Sequence, residues 1–376
     1  MTSGRWHDAL ARMLTRIDDT AAGVKEAFPH WADPKTGQWT TTADGDWTGG
    51  YWIGMNWLAA VATGETRYRS RAAALAERLQ ARIEGATVFK SFPAYYGASL
   101  GAILHDAARP REIALQTARS LARLYVPGLR LVPLGAQAEE GAHIGATETS
   151  IDSLQAAPFL FWAAATGGEA QLREVARNHA ATIIPLHLRA DGSFIQSSSL
   201  DAATGRLVRH YTHKGYSDTS TWGRAQAWGM LFSTQSYLAD RSREDWLTAA
   251  VRGADWWLAH VPGDRVAFWD FDDPAIPRTE RDTAATAIAL AALLKLARVA
   301  ASEAGRARYR EAAEATAQAL VSRHLTPVGI LTDACFNKRT DARPHDRASR
   351  CEFIVGSYYL LESLVALAGR IDPLRV

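Results

Sequence analysis

Thr283-Ala-Ala-Thr-Ala-Ile-Ala-Leu-Ala-Ala-Leu-Leu-Lys-Leu-Ala297 carries a single charged side chain and shows no polar face. A helix that is apolar on every side must be buried on every side. The same pattern, which here spans roughly 282–299, recurs at roughly 50–62, 94–107, 152–166, 222–238 and 353–368. Between these segments lie amphipathic, charge-rich ones at roughly 5–27, 65–83, 110–126, 169–186, 243–260 and 306–324. Tyr309-Arg-Glu-Ala-Ala-Glu-Ala-Thr-Ala-Gln-Ala-Leu320 is typical of them. Such helices cover a core with one face and meet water with the other. The two kinds alternate strictly through the 376 residues. A faint repeat accompanies the alternation. Gly64, Gly168 and Gly305 each precede an amphipathic segment, and an apolar anchor follows at Tyr68, Leu172 and Tyr309. Trp246 takes the same place without a glycine. The expectation is an all-α toroid of six helical hairpins, with the buried helices inside, built as a single domain over 1–376. An open helical solenoid is the alternative, and it needs polar capping repeats.

Composition narrows the function. Charged residues make up 22% and the net charge is +2, with no run of five like charges, which argues against a nucleic-acid partner. No stretch of 18 apolar residues free of charge suggests a membrane span. The segment Met1–Leu10 has no apolar core and no small-residue cleavage site, so the expected compartment is the cytoplasm. Cys335 and Cys351 support neither a disulfide framework nor a cysteine-rich metal site. The chain has 13 Trp; most are expected in the core, but an exposed indole also stacks on sugar rings.

In a ring of hairpins all inner helices run the same way, so their N-termini share one mouth. The unusual polar residues sit at those ends. Asp46-Trp47-Thr48 precedes the first inner helix and Glu148-Thr149-Ser150-Ile151-Asp152-Ser153 the third. Thr212-His213-Lys214 through Arg224-Ala225-Gln226-Ala227-Trp228 leads into the fourth, and Trp269-Asp270-Phe271 with Arg281-Asp282 into the fifth. Clustered N-termini also carry positive partial charge, which suits an anionic ligand. Trp, Asp, His and Arg around a cleft read as sugar binding with acid–base chemistry. Asp46, Asp152 and Asp282 have a competing reading as helix caps, favoured for Asp282. Asp152 follows an isoleucine and leads into an apolar helix, where desolvation would raise its pKa toward that of a usable acid. Arg224 and Trp228 share a helix face, and a buried ion pair is the competing reading for Arg224. His213 has only His210 near metal-ligand spacing, so no metal is expected. No phosphate loop, nucleophile elbow or dinucleotide fingerprint is present.

At these residues the chain resembles the unsaturated glucuronyl hydrolase family of glycoside hydrolases. The pieces that carry the resemblance are Asp46-Trp47-Thr48 with Tyr51-Trp52-Ile53-Gly54, Ile151-Asp152-Ser153 with Pro158-Phe159-Leu160-Phe161-Trp162-Ala163, and Thr212-His213 through Gly229. Trp269-Asp270-Phe271 with Arg281-Asp282, and Gly356-Ser357-Tyr358-Tyr359-Leu360-Leu361-Glu362, complete the order. The resemblance implies an (α/α)6 barrel and a small oligosaccharide or glycoside ending in a 4,5-unsaturated uronic acid. It implies that an acid protonates C4 of the vinyl ether, that water adds at C5, and that the ring then opens and releases the aglycone. The matching acid is Asp152. It also implies that Trp47 and Trp228 stack on the sugar, that His213 and Arg224 contact the sugar and its carboxylate, and that no metal or organic cofactor takes part. Gln226 is placed with the substrate-binding residues. The family's second Asp, before the second inner helix, has no counterpart in Val88-Phe89-Lys90-Ser91-Phe92-Pro93-Ala94, where Ser91 is the candidate acceptor. Lys214 stands where many relatives have an uncharged amide. A same-barrel hydrolase of saturated or otherwise modified uronides, using Glu148 or Asp46 as a second carboxylate, and a silent sugar-binding relative are the alternatives.

Overall fold

The computed structural model describes residues 6–138, 147–342 and 346–376. Its helices are α1 (His7–Val24), α2 (Gly49–Thr63), α3 (Thr66–Glu77), α4 (Leu100–His105), α5 (Ala108–Ala122) and α6 (Ala156–Gly167). They continue with α7 (Ala170–His187), α8 (Gly223–Ala239), α9 (Glu244–His260), α10 (Thr283–Val299), α11 (Glu303–Arg323) and α12 (Ile354–Leu367). A π-helical turn, Pro93–Ser99, runs straight into α4, and a 3-10 turn, Ile151–Gln155, into α6. The inner elements pack in sequence, α2 on the π turn and α4, the π turn on α6, α6 on α8, α8 on α10 and α10 on α12, and α12 packs back on α2. That last contact closes the ring and excludes the solenoid: the chain is an (α/α)6 barrel. Each inner helix carries its outer partner: α3 on α2, α5 on the π turn and α4, α7 on α6, α9 on α8 and α11 on α10. The sixth pair is α12 with α1, so the two ends of the chain together complete the ring.

The apolar stretch read first in the sequence is buried along its whole length in α10. Its one charge, Lys295, is buried too, and it pairs with Glu362 of α12 at 3.2 Å while donating to the Pro373 carbonyl at 2.8 Å. The four anchors Tyr68, Leu172, Trp246 and Tyr309 are all buried. Two of them make equivalent ties between successive outer helices. Tyr68 of α3 donates to Asp18 of α1 at 3.0 Å, and Tyr309 of α11 donates to Asp255 of α9 at 2.8 Å.

The glycine punctuation holds at two sites. Gly64 and Gly168 adopt φ of 77° and 75° and close α2 and α6 by donating to the Ala60 and Ala164 carbonyls. Gly305 is different: Ser302 caps α11 by accepting the Gly305 N–H, so this glycine lies inside the helix. The inner helix expected over 94–107 is also not uniform. A Cβ at Gly50 would come within 2.4 Å of the Pro93 Cα, so α2 and the π turn pack backbone to backbone. Trp57 Nε1 donates to the Gly97 carbonyl at 2.8 Å, satisfying a backbone group of the π turn.

Two small antiparallel sheets, absent from the sequence reading, sit among the loops. β1 (Phe28–Ala32) lies between β2 (Trp39–Thr42) and β6 (Glu352–Phe353), and β4 (Ser197–Leu200) lies between β3 (Glu148–Ser150) and β5 (Leu207–Tyr211). The first ties the N-terminal hairpin to the start of α12, where Arg16 also meets Glu352 at 2.6 Å. The second braces the segment that leads to Asp152. Among the described residues no helix is long and apolar enough to cross a membrane.

Candidate active site

A cleft with about 340 Å³ of open space lies at the mouth formed by the inner-helix N-termini. Trp47, ahead of α2, and Phe89 and Phe92, ahead of the π turn, form one side of it. Asp152 enters from the 3-10 turn before α6. His213, Lys214, Trp222, Arg224 and Trp228 enter from the loop before α8 and from its first turns. Sequence scatters these side chains over 182 positions; the common direction of the inner helices gathers them.

Asp152 is half-buried, and its turn is fixed on several sides. Ile151 donates its N–H to the Gln196 carbonyl at 2.8 Å, and Ser153 Oγ donates to the Ser150 carbonyl at 2.6 Å. The imidazole of His179 bonds to the Ser153 carbonyl through Nε2 at 2.8 Å and accepts the Val132 N–H through Nδ1 at 3.1 Å. Burial lowers the pKa of His179 to about 4, which keeps it neutral in this bridge. The carboxylate of Asp152 thus projects from a rigid turn at the positive end of α6.

Gln196 organises the opposite side. Its Oε1 accepts the Thr212 hydroxyl and the N–H groups of His213 and Lys214, the latter two at 3.1 Å. With Oε1 so committed, its Nε2 faces His213 Nε2 at 3.2 Å as the donor, which leaves His213 Nδ1 to carry the proton toward Ser197 Oγ at 3.2 Å. Further along the loop, buried Asp270 accepts the Tyr216 N–H at 2.8 Å and the Ser220 hydroxyl at 2.7 Å. Burial raises the Asp270 pKa, against the lowering effect of these bonds.

Arg224 is almost wholly buried and makes an ion pair with Asp282 at 2.6 Å. It also donates to the carbonyls of Cys335 and Phe336, and lies over the Trp222 ring at 4.4 Å. Asp282 accepts the Ala284 and Ala285 N–H groups as the cap of α10, as its competing reading held. Arg224 therefore both faces the cleft and ties α8, α10 and the 335–336 segment together. The Lys214 ammonium lies 4.2 Å from the Phe336 ring centre and 5.8 and 5.9 Å from those of Trp47 and Trp222. Aromatic faces of this kind hold a desolvated cation.

Not every sequence candidate reaches the cleft. Gln226 is fully buried: its Oε1 accepts the Phe194 N–H at 2.7 Å, and its Nε2 donates to the Gly253 carbonyl at 2.9 Å. Its amide clamps the loop at Phe194 to α9 and is not among the side chains lining the cleft. Ser91 is also fully buried and off the lining; the 3-10 turn Val88–Lys90 presents Phe89 instead. One face of Trp228 is taken by Phe232, at 4.8 Å and nearly parallel, so only the other face is available to a ligand. Neither Asp46 nor Glu148 lines the cleft. Phe89, Phe92, Trp222, Gln196 and His179 were not found by the sequence reading. The aromatic trio was visible as residues but not as a wall, and the two polar braces gave no local signal. Among the described residues no cluster of three or more His, Cys, Asp or Glu side chains is arranged to hold a metal ion.

No protein-family model matches the chain. Curated relatives do. The unsaturated glucuronyl hydrolase of Bacillus sp. (strain GL1) is 30% identical over 378 residues, covering 96% of both chains. The unsaturated chondroitin disaccharide hydrolase of Streptococcus pneumoniae (strain ATCC BAA-255 / R6) is 25% identical over 95% of this chain and 90% of its own. Among solved structures, the Bacillus sp. GL1 unsaturated glucuronyl hydrolase superposes with a TM-score of 0.88 at 27% identity, covering 96% of each chain. An unsaturated glucuronyl hydrolase specific for heparin superposes at 0.86 with 22% identity, over 98% of this chain and 99% of its own, a likeness of fold. With sequence, fold and near-complete coverage in agreement, the chain belongs to the unsaturated glucuronyl hydrolase family of glycoside hydrolases.

Proposed function

We propose that the protein hydrolyses small oligosaccharides or glycosides ending in a 4,5-unsaturated uronic acid, with Asp152 as the acid and then the base. The observation that carries this reading is the placing of Asp152 in one cleft with His213, Lys214, Arg224 and the indoles of Trp47, Trp222 and Trp228. The cations and the surrounding helix N-termini favour a uronate carboxylate. The indoles of Trp47 and Trp228 in the cleft lining favour a sugar ring.

In the proposed reaction Asp152 donates its proton to C4 of the vinyl ether, and water adds at C5. Asp152 takes a proton back from that water, so the enzyme ends as it began. The product at C5 is a hemiketal; it collapses, the ring opens, and the aglycone leaves with its oxygen. No metal or organic cofactor is called for. Residues 1–376 act as one catalytic barrel.

Known relatives support the substrate class. A solved complex of a family member, 28% identical over 96% of this chain, holds dGlcA-Glc-Rha-Glc. A direct test follows the ultraviolet absorbance of the conjugated double bond in unsaturated disaccharides. Absorbance should fall with the wild type and stay constant with Asp152→Asn. Cleavage of saturated uronides alone would replace this reading with direct hydrolysis, and binding without turnover would replace it with a silent receptor.

A further inference from the structure

The side chains of the cleft are unevenly supplied with hydrogen-bonding groups. Among the described lining residues Asp152 holds the one carboxylate. Lys214, Arg224 and the indoles are donors without an acceptor. Both ring nitrogens of His213 lie 3.2 Å from other side chains, Gln196 and Ser197. The rest of the wall is hydrocarbon. The Phe89 and Phe92 rings are 6.1 Å apart, and Phe92 meets Trp47 at 5.5 Å and Trp228 at 5.9 Å. All four rings are buried to within 8% exposure.

A sugar entering this space brings hydroxyl groups, and each is an O–H donor. Once water is expelled, a donor that faces Phe89 or Phe92 meets no acceptor on those rings, and that carries the full desolvation cost. Among the described lining residues Asp152 is the one carboxylate, and the proposed reaction uses it. An ether or ester at the same position removes the O–H and offers apolar surface to the rings.

We infer that this cleft selects unsaturated uronides whose ring hydroxyls are capped by small alkyl or acyl groups, with Phe89 and Phe92 as the specificity-determining residues. The inference rests on the proposed function and narrows its substrate. The rings of Trp47, Phe89, Phe92 and Trp228 lie within 6.1 Å of their neighbours along this wall, so the caps must be small.

The test uses two probes, the phenyl glycoside of 4,5-unsaturated glucuronic acid and its 2,3-di-O-methyl derivative. Wild-type kcat/KM should favour the methylated probe by about tenfold to a hundredfold. Phe89→Asn, which places an amide oxygen in the wall, should shrink or invert that ratio. Phe89→Thr provides a second, smaller acceptor if the asparagine variant does not fold. A wild type that prefers the free-hydroxyl probe overturns the inference, as does a folded Phe89 variant with an unchanged ratio. Absence of turnover on both probes would sink the proposed reaction instead. The preference is then read from the ratio of dissociation constants of the two probes for Asp152→Asn, and a ratio near one overturns it.

Discussion

The Nε2 atom of His179 lies 2.8 Å from the Ser153 carbonyl oxygen, one residue beyond Asp152. The bond, together with the Val132 N–H accepted on the other ring nitrogen at 3.1 Å, specifies one neutral tautomer. Protonation would add a proton to the nitrogen that accepts and break the bridge. The turn that carries Asp152 is thus held by a group that depends on remaining uncharged.

A pH dependence of stability follows. Burial lowers the pKa of His179 to about 4 and that of His187 to about 3, against an ordinary 6.5. Below pH 6.5 the unfolded chain takes up protons at these rings while the folded chain does not, so stability falls with pH. Each ring costs about 1.4 kcal/mol per pH unit across its window, from 6.5 down to the folded value. Urea midpoints measured from pH 7 to 4.5 should fall accordingly. His179→Gln, which can still donate and accept, should flatten that slope, and an unaltered slope would remove His179 from the account.

Arg224 should be as much a structural residue as a binding one. Its guanidinium joins Asp282 at 2.6 Å and reaches the carbonyls of Cys335 and Phe336 with both members exposed by 1% or less. Arg224→Met leaves Asp282 buried without its cation, a loss of about 3–5 kcal/mol. Thermal melts of Arg224→Met and Asp152→Asn separate the roles. The first should melt much lower. The second, a substitution of similar shape at a half-buried site, should melt near the wild type while losing turnover.

Gln196 offers a subtler check. Its Oε1 gathers three donors from Thr212, His213 and Lys214, and its amide nitrogen faces His213. Gln196→Ala should release this loop and raise KM about tenfold or more, since orientation and charge placement depend on it. An unchanged KM would mean that the loop's other ties, from Asp270, Arg189 and Arg339, hold it without Gln196.

The sequence exposed some of this better than the rest. The ring was legible because α10 and its fellows lack a polar face, a property that no neighbour can supply or remove. The position of Asp152 was legible because it marks a helix start. The fate of a polar residue in an apolar helix was not legible. Arg224 and Gln226 lie two positions apart on α8, yet one faces the cleft and the other clamps three backbone groups. Which occurs depends on partners 27 to 112 residues away. The short strands escaped because two to five residues carry too little alternation to register. Ser91 suits an acceptor's role by its chemistry alone; the 3-10 turn before it presents Phe89 to the cleft in its place.

The last prediction concerns the charge in the stretch that defines the fold. Lys295 and Glu362 are buried at 0% and 4% side-chain exposure, and their pairing joins α10 to α12 across the inner ring. Removing either partner leaves a buried charge, so Lys295→Met or Glu362→Leu should each cost about 3–5 kcal/mol. Removing both replaces an ion pair by apolar volume, which is often neutral or stabilising. One complication is the Pro373 carbonyl, which loses the Lys295 donor at 2.8 Å in any variant without the lysine. That loss is about 1 kcal/mol and is common to Lys295→Met and the double variant, so it does not enter the coupling term. The double variant should therefore recover most of the loss, giving a coupling energy of at least about 2 kcal/mol in denaturant titrations. Additive single losses would show instead that the two charges are solvated independently, and that α10 meets α12 through its apolar surface alone.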